Sequence, residues 1–211
     1  MPAKILPIVQ VGEPVLRERA RELSRREIQS REIRDLIRNM RETMYKAPGV
    51  GLAAPQIGQS LQLAVIEDKA EYLKDVPAET LRERERSPVP FQVIINPKIT
   101  LKEGTPVEFF EGCLSLAGFT AIAPRARAVR VECLDENGNE RIIEASGWYA
   151  RILQHEIDHL HGTIYIDRMQ PRTFMSVELF NRHWKEKPLA EIRQSLCLAP
   201  ESLVDKAGKA G

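Results

Sequence analysis

Apolar residues at Ile28, Ile33, Leu36, Ile37, Met40 and Met44 recur three and four apart, so the spacing predicts a helix running to about Lys46 and ending at "APG", residues 47–49. Its start is open. Ser24 with Glu27 has capping-box spacing, with Leu23 and Ile28 placed as a hydrophobic staple, yet Ser30 followed by Glu32 could also cap; a short turn and then the main helix satisfies both. Beyond "GVGLAAPQIG" the pattern shortens to β-type runs at 61–67 and 91–96, then "KITLKE", "PVEFFE", "FTAIAP", "RAVRVECL" and "RIIEA", many bounded by Gly, Pro or Asn. These predict an antiparallel, mostly β body. Val129, Val131 and Cys133 alternate with Arg130 and Glu132, which sets Cys133 against a core and away from chemistry. Asn137-Gly138 marks a hairpin between two such runs. From Ser146 the pattern is helical again, with Leu153, Ile157 and Leu160 as its buried stripe. The chain after Pro171 reads as partly helical, and "APESLVDKAGKAG" at its end is expected to fray.

Composition narrows the class. A chain of 211 residues has the size of one domain and can bury a core without disulfides. Its three cysteines, Cys113, Cys133 and Cys197, are an odd and sparse set that points to a reducing compartment. Thirty-one basic and thirty acidic residues leave a net charge of +1, so no global field recruits nucleic acid or acidic membranes, and a small or neutral substrate is expected. The charges along "SRREIQSREIRDLIRNMRE" are of both signs and read as a solvated helix face. No apolar run approaches a membrane span, and the first residues resemble neither a signal peptide nor a transit segment. Residues 68–90, charged and proline-bearing, read as a solvent-exposed insertion within the domain.

The chemistry is concentrated in "QHEIDHLHG", Gln154 to Gly162, and "EGCLSLAGF", Glu111 to Phe119. Residues four apart share a helix face, so His155 and His159 can aim at one point, and Glu156 beside them can serve as general base on a water there. That motif alone fits a zincin-type metallopeptidase, which needs a third ligand downstream. His161 and His183 are the downstream histidines, and both read as exposed. Cys113 offers an alternative, because one thiolate with two imidazoles and an open position is an established set for a divalent metal. Gly112 would then let the backbone pass close to the metal, with the Leu114 amide free to point into the site. A Cys/His nucleophilic pair leaves the second histidine unexplained, and an inert buried cysteine is the third possibility.

Three segments taken together, "GVGLAAPQ" (Gly49 to Gln56), "EGCLS" (Glu111 to Ser115) and "QHEIDH" (Gln154 to His159), resemble the signature motifs of the peptide deformylases, in order and at suitable separations. The resemblance extends from "VGEPVLR" to about "TIYIDRM". It implies Cys113, His155 and His159 as metal ligands, Glu156 as general base and acid, and Gln56 with the Leu114 amide as oxyanion donors. The implied cofactor is one divalent ion, ferrous iron first, with zinc, nickel or cobalt as alternatives in purified protein. The implied reaction removes formate from N-formylmethionyl nascent peptides. The implied fold is α+β: one small domain whose antiparallel β-sheets enclose a metal-bearing helix, with an N-terminal helix and a partly helical tail. The "GVGLAAPQ" backbone would line a cleft where an extended peptide can pair with it. Val50, Gly51, Ile152 and Trp148 are the expected wall of a methionine pocket, a core tryptophan being the alternative for Trp148. Asp158 is expected to support the ligands from behind with Arg125 as its partner, an exposed aspartate being the alternative.

"LAGFTAIAPR" after "EGCLS", and "ASGWYARILQHE", are closer to the organelle-type branch than to many bacterial members. A bacterial cytoplasmic location is expected, with a processed organellar enzyme as the alternative. The chain reads as one catalytic domain over 1–211, with a core over about 5–170, the insertion at about 68–90, and an extension over 171–211 as a candidate ribosome contact. No nucleic acid is expected to bind directly, and no membrane. The rival functions are an HExxH-type metallopeptidase and a non-catalytic binder of formylated chains.

Overall fold

Both serines start a helix. Ser24 accepts from the Glu27 amide while the Glu27 carboxylate accepts from the Ser24 amide, closing a capping box on α1 (Arg25–Ile28), and Ser30 caps α2 (Arg31–Lys46) through the Ile33 amide. The structure, a computed structural model, describes residues 3–47, 49–102 and 104–198. The chain continues through β1 (Gly51–Ala53), β2 (Leu63–Asp68), α3 (Ala70–Leu73), α4 (Ala78–Glu83), β3 (Val89–Leu101), β4 (Val107–Cys113), β5 (Leu116–Arg125), β6 (Ala128–Leu134) and β7 (Glu140–Ser146). It ends in α5 (Gly147–Leu160), β8 (Met175–Ser176), α6 (Val177–His183) and α7 (Leu189–Ser195). Among the described residues the strands form an antiparallel five-stranded sheet, in the order β1-β2-β3-β6-β7, and a three-stranded sheet, β4-β5-β8. This is the α+β class that the family resemblance implies, with the antiparallel β body expected from the pattern.

The larger sheet is covered on both faces, which is why its central strands read as continuous apolar runs rather than as alternation. Leu63, Val65, Val93 and Ile95 pack with Ile33, Ile37, Met40 and Met44 of α2. Ala64, Ile66, Ile94, Val129, Val131 and Cys133 pack with Ile152, Leu153, Ile157 and Leu160 of α5. Cys133 therefore faces the core as its alternation indicated, and burial pushes its thiol up to about 11. The helix that carries the histidines is held from one side by this sheet.

Four features depart from the sequence reading. The runs "FQVIIN" and "KITLKE" are one strand, β3, whose register shifts between Ile95 and Lys98 around a left-handed Asn96 at φ 49. The hairpin at Asn137-Gly138 has a longer loop than two residues, organised by Asp135, whose Oδ1 accepts from the Asn137 and Asn139 amides at 2.8 Å each. Segment 68–90 is largely exposed, as expected, but it holds α3 and α4 and is anchored where Arg86 donates to the fully buried Asp68 at 2.7 and 2.9 Å. The tail adds a strand as well as helices. β8 joins β5 at Phe119 and Thr120, Ile192 of α7 is buried, and Arg193 pairs with Glu108 of β4. The segment "APESLVDKAGKAG", expected to fray, lies outside the described residues. No helix among the described residues is long and apolar enough to cross a membrane.

Asn96 fastens the N-terminal segment to the sheet, accepting from the Leu23 amide at 2.9 Å and donating to the Leu23 carbonyl at 2.7 Å. Asn96→Ala removes both bonds and puts a residue with no local compensation at positive φ, which should cost about 1–3 kcal/mol. Thermal melting should show a drop of roughly 3–10 °C, with Asn96→Gly recovering part of it by relieving the backbone. An unchanged melting temperature in Asn96→Ala would remove Asn96 from this role.

Candidate active site

Two segments far apart in sequence meet at the centre of the molecule. β4 ends at Cys113, and Leu114 and Ser115 form the two-residue turn into β5, with Cys113 opposite Leu116. The Leu114 amide therefore lies outside the strand ladder. On α5, His155 and His159 lie one turn apart, their rings edge to face with centroids separated by 5.1 Å. Cys113 Sγ is 3.3 Å from His159 Nε2, and one ligand atom from each of Cys113, His155 and His159 lies within 4.8 Å of the others. The donors fit a tetrahedral divalent cation: a soft sulfur, two imidazoles, and a fourth position open to the cleft. His161 and His183 are exposed and lie outside this group, so the downstream third ligand of a zincin-type peptidase is not found among the described residues.

Glu156 lies against this cluster. Its carboxylate is buried, its Oε2 has no hydrogen-bond partner among the described residues, and burial pushes its pKa up to about 7. The wall opposite is the backbone of β1. A Cβ on Gly51 would come within 2.2 Å of Glu156 Oε1, so the strand can lie against the carboxylate only with glycine there. Gly112, assigned this kind of role from sequence, does not need it among protein atoms: a Cβ there would meet only the Phe119 carbonyl, at an ordinary 3.7 Å.

Gln56 sits in a 3-10 turn (Ala54–Ile57) directly after β1. Its Oε1 is committed to the Ala53 amide at 2.9 Å, which turns Nε2 toward Cys113 Sγ (3.4 Å) and Ser115 Oγ (3.3 Å). The side-chain amide thus presents its donor to the site.

Behind the ligands is a buried ionic network. Glu111 accepts from Arg125 at 2.9 and 3.0 Å, from Arg151 at 2.5 Å and from His155 Nδ1 at 3.1 Å, while Arg125 also pairs with Asp158. Asp158 takes two further bonds from Arg168 at 2.6 and 2.7 Å. Burial alone would raise the Glu111 pKa, but the bonds and charges of His155 and Arg125 hold it well below the carboxylate range. An ionised Glu111 accepting Nδ1–H leaves Nε2 of His155 as the nitrogen with a free lone pair. The pairing of Asp158 with Arg125 was legible in the sequence; Glu111 as hub and Arg151 were not. The signal for Arg151 was its place one turn before His155, on the same helix face.

A cleft of about 460 Å³ opens onto the cluster, lined by Val50, Gly51, Trp148, Ile152, Glu156 and Leu114 among others. Phe110, Phe119 and Val177 also line it, and none of them had been singled out from sequence. Val177 belongs to the tail, so the extension reaches the cleft.

Comparison with known proteins follows the same outline. The profile of the polypeptide deformylase family matches residues 5–175. The chain is 49% identical over 171 residues to the chloroplastic peptide deformylase 1A of Solanum lycopersicum, covering 81% of this chain and 62% of that protein, so it spans less than two thirds of that relative. It is 44% identical to peptide deformylase 1 of Bifidobacterium longum, over 88% of this chain and 82% of the relative. Its fold is similar to the crystal structure of a class I type b peptide deformylase from Acinetobacter baumannii bound to Met-Ala-Ser, with a TM-score of 0.70 and 30% identity over 80% of this chain and all of that one. With that match over most of its length and these motifs gathered around one cleft, the chain belongs to the polypeptide deformylase family.

Proposed function

We propose that this protein hydrolyses the formyl group from the N-terminal formylmethionine of new polypeptides, releasing formate. One observation carries the reading: the ligand atoms of Cys113, His155 and His159 converge beside the buried carboxylate of Glu156, whose Oε2 has no hydrogen-bond partner among the described residues, in a peptide-sized cleft. Cys113, His155 and His159 would hold one divalent ion, ferrous iron first in our reading, with zinc, nickel or cobalt as alternatives. Such an ion supplies a Lewis acid and a water made acidic enough to react near neutral pH. Glu156 takes a proton from the attacking water and later returns it to the leaving amine. Gln56 Nε2 and the Leu114 amide donate to the formyl oxygen as charge builds on it. Glu111 keeps His155 in the Nδ1–H tautomer throughout.

The substrate follows from the cleft. β1 is an edge strand, so the backbone beside Val50 and Gly51 has groups to offer an extended peptide, and Ile152, Trp148 and Val50 give an apolar slot for one unbranched side chain. The A. baumannii relative holds Met-Ala-Ser, the product such a reaction would leave. We read residues 1–211 as one catalytic unit located in a bacterial cytoplasm, with an organelle as the alternative, since the relatives include both bacterial and chloroplastic enzymes; fractionation of the source cells decides. The exposed Arg182, Lys185 and Lys187 support a ribosome contact through the tail. Reversing all three charges should then abolish co-sedimentation with ribosomes at low salt, and unchanged pelleting would remove the contact.

Cys113→Ala should lose both the bound metal and turnover, whereas Glu156→Gln should keep stoichiometric metal and lose about 10²–10⁴-fold in formate release. Metal analysis beside a formate assay separates ligand from base; a Cys113→Ala protein that retains a tightly held ion would sink the three-ligand model.

Burying most of a methionine side chain is worth about 1.5–3 kcal/mol, so formyl-Met-Ala-Ser should be hydrolysed at least about tenfold more efficiently than formyl-Ser-Ala-Ser. Equal kcat/KM values for the two peptides would show the pocket to be misassigned.

A further inference from the structure

Trp148 is held from behind by the segment that composition marks as a solvated insertion. Gly147, which opens α5, has φ 60, and a Cβ there would lie 2.3 Å from Glu85 Cβ and 2.8 Å from the Glu85 carbonyl oxygen. The backbone of the insertion is therefore seated on the first turn of the helix. Beside it, the guanidinium of Arg84 is 5.0 Å from the Trp148 ring centroid and 5.4 Å from that of Phe109, and the guanidinium of Arg86 is 5.3 Å from Trp148. Arg86 is fixed in turn by its two bonds to buried Asp68, and Arg127 donates to Glu85 at 2.6 Å. Among the described residues the Arg84 guanidinium has no side-chain hydrogen bond or close ion pair, and it lies near the Trp148 and Phe109 rings, a setting that holds a cation through ring quadrupoles. The indole also lines the cleft, and its buried Nε1 finds no acceptor among the described residues that would fix the ring.

We infer that segment 68–90 is the rear wall of the side-chain pocket, with Arg84 and Arg86 clamping Trp148 so that the slot admits an unbranched side chain and resists a bulkier one. The inference rests on the deformylase reading. Arg84 and Arg86 touch neither substrate nor metal; they are positioning residues that act through Trp148. A loosened indole enlarges the slot, so a long narrow side chain loses contacts while a broad one gains room.

The test uses the full chain, metal-loaded, in a Trp184→Phe background that leaves Trp148 as the sole tryptophan. Arg84→Met should raise KM for formyl-Met-Ala-Ser about tenfold with kcat within about twofold, and narrow the preference over formyl-Phe-Ala-Ser by a similar factor. Arg84→Lys, which keeps a cation over the ring, should restore most of the preference. Trp148 emission should shift to the red and quench more readily with acrylamide in Arg84→Met than in Arg84→Lys. Unchanged KM, preference or emission in Arg84→Met overturns the clamp, as does a fall in kcat with KM unmoved. Arg84→Gln replaces Arg84→Met if the latter does not fold. Absence of formate release by the background protein would end the deformylase reading, and the emission comparison, which needs no turnover, then decides the clamp by itself.

Discussion

Glu111 is the carboxylate around which the molecule is arranged. It is nearly inaccessible to water, yet it stays ionised because His155 and Arg125 bond to it and offset the burial, and Arg151 donates to it from α5 as well. A buried charge is tolerable only when its partners are in place, and deleting one partner of such a set typically costs about 3–5 kcal/mol. The arrangement thereby couples the small sheet, α5 and the Asp158–Arg168 contact beyond the end of that helix. It also decides chemistry, since the same carboxylate that locks the layers together receives Nδ1–H of His155 and points the opposite nitrogen toward Cys113.

Local periodicity made the histidines legible, because four residues on a helix are a distance that sequence measures directly. The caps at Ser24 and Ser30, the β runs and the inward face of Cys133 were legible for the same reason: each is decided within about one turn or one pleat. Cys113 lies 42 positions from His155, and only its chemistry and the shared motifs connected the two. Glu111 and Arg151 were not legible, because opposite charges can be buried if they go together and single positions do not reveal partners. Segment 68–90 is largely exposed, as its composition indicates, and only its packing contacts were hidden. Its arginines satisfy composition rules for a solvent loop while laying their flat faces on rings. The two-residue strand β8 is too short to have a period at all.

Glu156 is one of the few places where the structure leaves a buried polar atom unpaired. Among the described residues its Oε2 has no hydrogen-bond partner, as is also true of Trp148 Nε1, His159 Nδ1 and Tyr165 Oη, and Gly51 is kept without a side chain where the carboxylate sits. An unpaired buried acceptor costs about 1–3 kcal/mol of folding free energy. Sites that must bind something later are where such a cost is tolerated.

β1 ends the larger sheet, and an edge strand with free backbone groups is ordinarily a route to sheet-to-sheet aggregation. Here the edge is three residues long, its side chains are buried, and the approach to it runs through a cleft bounded by α5 and the Cys113 turn. A neighbouring sheet is too wide to enter, whereas a single extended strand fits. The same geometry that leaves backbone groups open to a single strand thus keeps a second sheet from pairing with that edge.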